Sequence, residues 1–291
     1  MDEQVTAGPE VPTGVDPAEL EQIACDVARA AGRLITEERP RDLGVSAKST
    51  RTDVVTEMDQ ASQELLITLL GERRPQDAVV GEEEGAAVGT SGVTWVLDPI
   101  DGTVNYLYDI PAYAVSVAAV VGDHCVEGGW RSIAGAVLNP VSGELFHAHV
   151  GGGARLTTAS GTLALAATGA SDLGLALVGT GFGYDAQVRS RQARLLLEVL
   201  PQVRDIRRAG SAALDLCAVA CGRLDGYYES GLNAWDRAAG ELVAREAGAV
   251  VVGLGGPDAG RDLTVAVAPG LARPFVELVR TLTREHVTRD H

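Results

Sequence analysis

The stretch Trp95-Val96-Leu97-Asp98-Pro99-Ile100-Asp101-Gly102-Thr103 is an apolar run that ends abruptly in two carboxylates, a glycine and a hydroxyl. The β-branched and aromatic residues at 93–97 predict a strand that is buried on both faces. Pro99 fixes its own φ and biases the preceding residue toward extended geometry. Asp98 and Asp101 can therefore point into one small volume just beyond the strand.

The residue types at this strand end predict a site for a divalent cation and a phosphate. Two close carboxylates repel each other unless a cation lies between them, and Mg²⁺ prefers carboxylate oxygens together with substrate phosphate oxygens. Gly102 lets the backbone approach an anion, and a helix beginning at Thr103 would direct N–H groups toward a phosphate. The alternative is a strand followed by an acidic turn, because Asp-Pro and Asp-Gly are common turn dipeptides.

Two further acidic segments could contribute to the same site. Gly81-Glu82-Glu83-Glu84 follows a short apolar run at 78–80, and Asn233-Ala234-Trp235-Asp236 precedes a helical pattern at 237–248. Each segment taken alone has a simpler explanation, since acidic loops are commonly solvated faces and an Asp near a helix start is commonly a cap.

In chain order these segments resemble the inositol monophosphatase family, whose members are lithium-sensitive, magnesium-dependent sugar-phosphate phosphatases. The resemblance extends from about Asp16 to about Val287. It rests on four motifs: Lys48…Asp53-x-Val55-Thr56-x-x-Asp59, Gly81-Glu82-Glu83, Trp95-x-x-Asp98-Pro99-Ile100-Asp101-Gly102-Thr103-x-Asn105, and Trp235-Asp236-x-Ala238-Ala239-Gly240. Val104 and Tyr106 depart from the Thr and Phe that are common after this Asp-Gly-Thr. Asn233 occupies a position that varies within the family, which leaves the sugar preference open.

The resemblance implies roles for particular residues. The implied metal ligands are Glu82, Asp98, the Ile100 carbonyl, Asp101 and Asp236. The implied catalytic residues, which orient or activate the attacking water, are Asp59 and Thr103, with Glu82 as a ligand of the activating metal. The implied substrate contacts are Asp101, Gly102, Thr103, Gly210, Ser211, Ala212, Glu229 and Asp236, with Arg207 nearby. The implied outer part of the site consists of Lys48, Asp53 and Glu83.

The resemblance also implies the fold and the reaction. It predicts a layered α/β (α+β) protein built as a five-layer αβαβα sandwich, with the metals in the cleft between two lobes. It predicts that two to three Mg²⁺ ions activate water to hydrolyse a phosphate monoester without a covalent intermediate, that Li⁺ inhibits, and that the enzyme is a homodimer.

Composition limits the functions that the chain can have. At 291 residues, with 46% hydrophobic and 4% aromatic residues, it can bury one large core or two modest cores built from Ala, Val and Leu. The formal charge of −16 argues against general nucleic-acid binding. No signal-like segment opens the chain and no apolar run is long enough to span a bilayer, which predicts a cytoplasmic protein without membrane association.

Several residues have two interpretations. Lys48 is the only lysine in the chain, and a compact ammonium within the motif suits a place near metal or phosphate, although chance placement is the alternative. We interpret the cysteines as small buried hydrophobic residues rather than metal ligands: the pair Cys217 and Cys221, and the separate Cys25 and Cys125. We interpret His147-x-His149 as part of a sheet surface rather than as a metal site. Arg207-Arg208 is equally consistent with phosphate ligands and with a pair that is solvated or bridges the lobes. We interpret Gly179-x-Gly181-x-Gly183 as a loop near the cleft.

The pattern along the chain predicts a disordered tail at 1–15 and a single catalytic domain at 16–287 made of two lobes, 16–155 and 156–287. Asp16-Pro17-x-Glu19 predicts the start of a helix that ends before Pro40, and a second helix is predicted at 56–73. Predicted strands of the first lobe are 112–121, 133–138 and 144–149. Those of the second are 175–179, 225–229, 249–252 and 263–267, with helices at 187–200, 211–221, 236–247 and 270–285.

The substrate is the least determined prediction. Gly210-Ser211-Ala212 and Tyr227-Tyr228-Glu229-Ser230-Gly231 resemble the polyol-binding pattern of the inositol branch, which favours an inositol monophosphate. Fructose 1,6-bisphosphate is the second candidate, and histidinol phosphate and adenosine 3′,5′-bisphosphate are substrates of relatives with the same metal motifs. A hypothesis of another class is a protein that binds the transcription machinery, as some bacterial relatives do.

Overall fold

The computed structural model describes residues 9–48, 54–83, 85–123, 125–126 and 128–288. Helix α1 (Pro17–Glu37) begins as predicted, because the Asp16 carboxylate accepts a hydrogen bond of 2.9 Å from the Ala18 N–H and Pro17 occupies the first turn. A two-stranded antiparallel ribbon of β1 (Ser46–Ala47) and β2 (Val54–Val55) leads into helix α2 (Glu57–Arg73). The predicted second helix is confirmed within one residue.

The first sheet has seven strands in the spatial order β3-β4-β5-β6-β7-β8-β9. The pair β3/β4 is parallel and every later pair is antiparallel, so this sheet is mostly a meander. A short helix, α3, follows β4. The bounds are β3 (Ala78–Gly81), β4 (Val93–Asp101), α3 (Thr103–Leu107), β5 (Ala114–Gly122), β6 (Trp130–Asn139), β7 (Glu144–His149), β8 (Ala154–Thr158) and β9 (Gly161–Ala164).

The second sheet has five strands in the order β11-β10-β12-β14-β13, with β10 parallel to both of its neighbours. The bounds are β10 (Leu177–Thr180), α4 (Ala186–Val199), β11 (Asp205–Arg207), α5 (Ala212–Ala220), β12 (Gly226–Glu229), α6 (Ala234–Glu246), β13 (Val250–Gly253), β14 (Thr264–Val267) and α7 (Ala272–Thr288). The helices and strands predicted for this part of the chain are confirmed, with shifts of one to three residues at their ends.

The chain folds into five layers, in the order helix, sheet, helix, sheet, helix, which confirms the αβαβα sandwich. Three hydrophobic cores lie between these layers. Helices α1 and α2 cover one face of the first sheet, to which β5 contributes Val115 and Val117. Helices α5 and α6 fill the space between the two sheets, against Ala114 and Ala118 of the opposite β5 face. Helices α4 and α7 close the outer face of the second sheet around Phe275.

Some sequence predictions need correction. Residues 9–15 are not a free tail, because Val11 and Val15 pack on the first core and the Pro9 carbonyl accepts a bond of 2.6 Å from Arg131 Nε. Two isolated valines have no period that a sequence pattern could reveal. Residues 1–8 lie outside the described residues. The lobe boundary placed near residue 155 falls within β8, and the sheets change between Ala164 and Leu177.

Two predicted side-chain environments also differ from the structure. His147 and His149 are not a bare sheet surface, because both imidazoles contact the buried carboxylate of Glu21 on α1. Cys217 is buried and Cys221 half-buried, as expected of small hydrophobes, whereas Cys125 is exposed. Within the described residues, every helix is too short or too polar to cross a bilayer.

Candidate active site

A β-bulge at the end of β4 brings Asp98 and Asp101 to the same side of the strand. Residues three apart in a regular strand point to opposite faces. Here Asp98 pairs with Ser116 and Asp101 pairs with Ala114, so three steps on β4 match two on β5. The bulged segment includes Pro99, which has no N–H to donate to the neighbouring strand. The sequence suggested the convergence of the two carboxylates but not the bulge that produces it.

The third carboxylate comes from the helix layer between the sheets. Asp236 lies in the first turn of α6, where its Oδ2 accepts a bond of 2.6 Å from the Asn233 N–H. Carboxylate oxygens of Asp98, Asp101 and Asp236 all lie within 4.8 Å of one another. The structure therefore brings together three of the predicted ligands from two distant parts of the chain.

Hydrogen bonds orient the two carboxylates of β4. Asp98 Oδ1 accepts a bond of 3.1 Å from the Ile100 N–H, which turns the Asp-Pro-Ile segment tightly. Asp101 Oδ2 accepts from the Ser211 hydroxyl at 2.5 Å and from the Ala213 N–H at 2.7 Å. Because Ser211 is the N-cap of α5, the start of that helix is fixed to the acidic site.

Burial and mutual repulsion make this cluster costly to ionise. Burial raises the pKa of Asp98 well above its usual value, and the charges of Glu82, Asp101 and Asp236 raise it further. Burial also raises the pKa of Asp236, and the charge of Asp101 adds the largest repulsion. For Asp101, burial raises the pKa to about 6, although the hydrogen bond from Ser211 opposes the shift. A cation at this point would remove the repulsion.

The donor set fits a hard divalent cation. Three carboxylates supply only oxygen atoms, and oxygen ligands are those that Mg²⁺ prefers. The cluster contains no sulfur or nitrogen ligand, which a site for zinc or copper would commonly include.

Asp59 and Thr103 form a hydrogen-bonded pair beside the cluster. Asp59 is fully buried in the first turn of α2, and its Oδ2 accepts from the Thr56 N–H at 2.8 Å and the Thr56 hydroxyl at 2.6 Å. Thr103 Oγ1 lies 3.1 Å from Asp59 Oδ1 and 3.1 Å from the Ile100 carbonyl, and its single proton serves one of them at a time. Burial raises the pKa of Asp59 to about 6.

Lys48 lies between the carboxylates at the end of β3. Its Nζ is 2.8 Å from Glu82 Oε1 and also contacts Glu83. Burial by itself lowers the pKa of Lys48, but the two carboxylates outweigh it and raise the pKa above its usual value. Glu82 stands outside the group of three carboxylates, although its charge acts on Asp98. Asp53 lies outside the described residues.

Gly102 and Gly210 bring the two lobes into close contact above the cluster. Gly102 has a φ of 95°, and a Cβ there would lie 3.0 Å from the Gly210 carbonyl. Asn105 Nδ2 donates to the carbonyls of Ala112 at 2.7 Å and Ala209 at 2.8 Å. The predicted substrate segment Gly210-Ser211-Ala212 therefore lies directly over the end of β4.

Glu229 forms the other wall of this region, at the end of β12. The Tyr227 hydroxyl donates to its Oε2, and a Cβ on Gly181 would lie 1.9 Å from the same oxygen. Burial raises the pKa of Glu229 to about 7, with a further contribution from Asp101. The middle glycine of Gly179-x-Gly181-x-Gly183 thus makes room for the Glu229 carboxylate.

Next to this wall lie two charged residues: Arg208, which sequence reasoning considered only as part of the Arg207-Arg208 pair, and Asp215, which it missed. Both arginines are exposed, but Arg208 is adjacent to Gly210, whose Cβ would lie 2.6 Å from Arg208 Nη1, whereas Arg207 pairs with Asp205 at 2.6 Å. Asp215 is buried on α5, and burial together with the charge of Glu229 raises its pKa well above the usual range. An Asp inside the apolar helix Ala212–Ala220 was the available signal for Asp215.

Comparisons with known proteins show the family to which the chain is similar. The model of the inositol monophosphatase family matches residues 16–285. Inositol-1-monophosphatase of Mycobacterium bovis is 46% identical over 286 residues, covering 92% of this chain and 95% of the relative. The Nus factor SuhB of Pasteurella multocida is 39% identical over 238 residues, covering 80% and 85%. The solved structure of Mycobacterium tuberculosis SuhB superposes with a TM-score of 0.77 at 42% identity, covering 92% and 98%.

Proposed function

The chain belongs to the inositol monophosphatase family and is a phosphoric monoester hydrolase, and from this premise we propose that it hydrolyses an inositol monophosphate with the help of Mg²⁺. The observation that carries the proposal is the convergence of Asp98, Asp101 and Asp236 within 4.8 Å. Two buried carboxylates and a half-buried one at this separation are unfavourable without a cation, and a phosphate ester cannot approach them without one.

The proposed ligands are Asp98, Asp101 and Asp236, together with Glu82 and the Ile100 carbonyl. When bound, Mg²⁺ would lower the pKa of a water molecule and neutralise charge on the phosphate and the departing ester oxygen. The protein's part is to hold the carboxylate oxygens in place, through Ile100 N–H for Asp98, Ser211 for Asp101 and the Asn233 N–H for Asp236.

We assign Asp59 and Thr103 to the attacking water. The Thr103 hydroxyl donates to Asp59 Oδ1, so its oxygen can accept a hydrogen bond from a water that faces the phosphorus. As the water's proton moves to Thr103, the hydroxyl's own proton moves to Asp59. Thr56 holds the other Asp59 oxygen with two hydrogen bonds, which fixes the direction of the pair. A pKa of about 6 leaves Asp59 mostly ionised at neutral pH and still basic enough to take the proton.

We assign the alcohol part of the substrate to the region between the lobes. Hydrogen bonds with the sugar hydroxyls would be made by Glu229, Gly210, Ser211, Ala212 and Asp236. Arg207 is the arginine that the family pattern implies there. Arg208 supports the same role better, because its guanidinium is adjacent to Gly210 and its charge lowers the pKa of Glu229.

A second candidate function comes from the relatives called Nus factor SuhB, which are 39% identical to this chain. It is an association with the transcription machinery, alongside catalysis or in place of it. An Asp98→Asn variant that is inactive in hydrolysis but still restores the phenotype of cells lacking the protein would favour this role. We further propose, from the family pattern, that the protein is a cytoplasmic homodimer, and sedimentation at working concentration tests the dimer.

The deciding experiment is phosphate release from inositol 1-phosphate, fructose 1,6-bisphosphate, histidinol phosphate and adenosine 3′,5′-bisphosphate, with Mg²⁺, with EDTA, and with added Li⁺. Magnesium-dependent, lithium-sensitive turnover led by inositol 1-phosphate supports the proposal. Turnover led by fructose 1,6-bisphosphate or another ester refutes the assigned alcohol. No turnover of any of the four would leave the transcription role as the better candidate.

A further inference from the structure

A pocket lies on the opposite side of the first sheet from α5 and α6. It has a volume of about 420 Å³ and is bounded by the C-terminal half of α1, the turn between β6 and β7, and the turn between β8 and β9. None of the residues that line it belongs to the acidic site, which lies between the lobes. Volumes of this order accommodate small metabolites.

Two arginines from adjacent turns of α1 face the pocket. Arg29 contacts Asp26 only at 3.8 Å, and Arg33, which is exposed, makes no ion pair with any residue that the structure describes. Glu37 is the one acidic side chain in the lining. Two arginines thus stand against one acidic side chain in the lining, in a chain of formal charge −16. They are four residues apart, and side chains at that spacing lie side by side on a helix.

The remaining lining combines hydroxyl groups with an apolar floor. Thr157 and Thr158 of β8 lie across from α1, and Leu138 and Pro140 form the floor. Thr157 Oγ1 lies 2.9 Å from His147 Nε2 and 2.8 Å from Thr162 Oγ1, so this hydroxyl is held in one direction.

Gly32 keeps α1 close to this floor. A Cβ at Gly32 would lie 2.5 Å from Leu138 Cδ2, so the helix could not keep its present position with a larger residue there. The pocket is therefore shaped by a close helix–sheet contact rather than by a gap between loops.

We propose that this pocket binds a small phosphorylated, hydroxyl-bearing metabolite, such as a sugar phosphate. The phosphate lies between the Arg29 and Arg33 guanidiniums, whose planar donors match phosphate oxygens. The hydroxyl groups of the ligand bind Thr157, Thr158 and Glu37, and its carbon skeleton covers Leu138 and Pro140. Because the anion is held by arginine alone, binding requires no divalent cation, unlike binding at the acidic site.

The test is titration calorimetry of the full chain with ribose 5-phosphate in EDTA, where the acidic cluster repels phosphate. We expect saturable binding that weakens by at least about tenfold in Arg29→Gln/Arg33→Gln, because both charge-assisted bonds are lost. Ala159→Trp, which fills the pocket from an exposed turn position, should weaken binding equally. Arg189→Gln, an exposed arginine of α4, is the matched control and should bind like the wild type.

Three outcomes overturn the proposal: no saturable binding, the same affinity in the double arginine variant as in the wild type, or equal affinity for ribose without its phosphate. Circular dichroism and thermal unfolding establish that each variant is folded. Because no turnover is measured and no metal is present, the result is independent of the proposed hydrolysis.

Discussion

Ser211 Oγ lies 2.5 Å from Asp101 Oδ2, so the N-cap of α5 is hydrogen-bonded to the last carboxylate of β4. The two residues are 110 positions apart in the chain, and the contact joins the layer between the sheets to the first sheet. Through it, the geometry of the acidic cluster depends on the packing of α5 against α6 and the first sheet.

Ser211→Ala should lower kcat/KM by about tenfold, because Asp101 keeps the Ala213 N–H but loses its shortest partner. The loss of the helix cap should cost about 1 kcal/mol of stability. Ser211→Thr, which retains the hydroxyl, should recover most of the activity. Ser142→Ala, which removes an exposed turn hydroxyl, is the control. An Ala variant as active as the Thr variant would show that this hydrogen bond does not matter for catalysis.

Asp98→Asn should lower kcat/KM by about a thousandfold or more while the fold survives, on the scale of lost metal-based stabilisation. In EDTA the same variant should be more stable than the wild type, because it removes a buried carboxyl group whose pKa is raised by burial and by the charges of four neighbouring carboxylates. Thermal unfolding with EDTA and with Mg²⁺ measures both effects. Asp26→Asn changes a surface carboxylate and should alter neither. Equal turnover in Asp98→Asn and wild type would refute the metal-site assignment.

Without metal, stability should fall as the pH rises from about 4 to about 6. Asp59 and Asp101 have folded pKa values raised to about 6 from an ordinary value of 3.8. In this interval the folded state retains protons that the unfolded chain has released, so the stability present below pH 3.8 is lost as the pH passes the folded pKa. Each group accounts for about 3 kcal/mol at most.

Urea unfolding in EDTA at several pH values checks this trend. Asp59→Asn should flatten the dependence, and Asp26→Asn should leave it unchanged. An identical slope in Asp59→Asn and wild type would mean that Asp59 does not titrate in this range.

Bound Mg²⁺ should stabilise the folded protein by mass action, by about 2.7 kcal/mol at a free concentration of one hundred times its Kd. The gain should disappear in Asp98→Asn, and thermal unfolding across a magnesium titration measures it. A melting temperature that is independent of Mg²⁺ in the wild type would contradict the proposed site.

Gly181→Ala should displace the Glu229 carboxylate, because the new Cβ would lie 1.9 Å from Oε2. We expect KM for inositol 1-phosphate to rise by about tenfold with a smaller change in kcat, the pattern of a lost substrate contact. Gly169→Ala is the matched control, since a Cβ there meets no atom within 4 Å. Equal kinetics in the two variants would exclude Glu229 from substrate binding.

Arg207 and Arg208 should differ in their effect on substrate binding. Arg208→Ala should raise KM by about tenfold, because its guanidinium is adjacent to Gly210, while Arg207→Ala, which breaks an exposed pair with Asp205, should change KM by less than about twofold. Steady-state kinetics on both variants measures the difference. The reverse order of effects would restore Arg207 to the substrate site.

The elements that carry a strong local pattern were predicted well. The Asp16 cap and the α1 period, the buried β4 and the alternation of helices and strands after residue 175 all follow from hydrophobic spacing and turn residues. Strands β8 and β9 were missed because Arg, Thr and Ser residues between 155 and 162 hide their alternation. The packing of Val11 and Val15 was missed because nothing local distinguishes a valine that finds a distant core.

The sequence by itself determined the residue types of the site and their order: carboxylates after two strands, a glycine and a hydroxyl after the second, and an Asp at a helix start. These are local, since strand ends and helix caps depend on neighbouring residues. Only the tertiary structure decided that a bulge turns Asp98 and Asp101 to one side and that Asp236 joins them. It also decided that the guanidinium adjacent to Gly210 is that of Arg208 rather than Arg207. Finally, it decided that the Glu21 carboxylate contacts both His147 and His149. Each of these depends on register and on packing between distant segments, and a one-residue change in register reverses the face to which a strand side chain points.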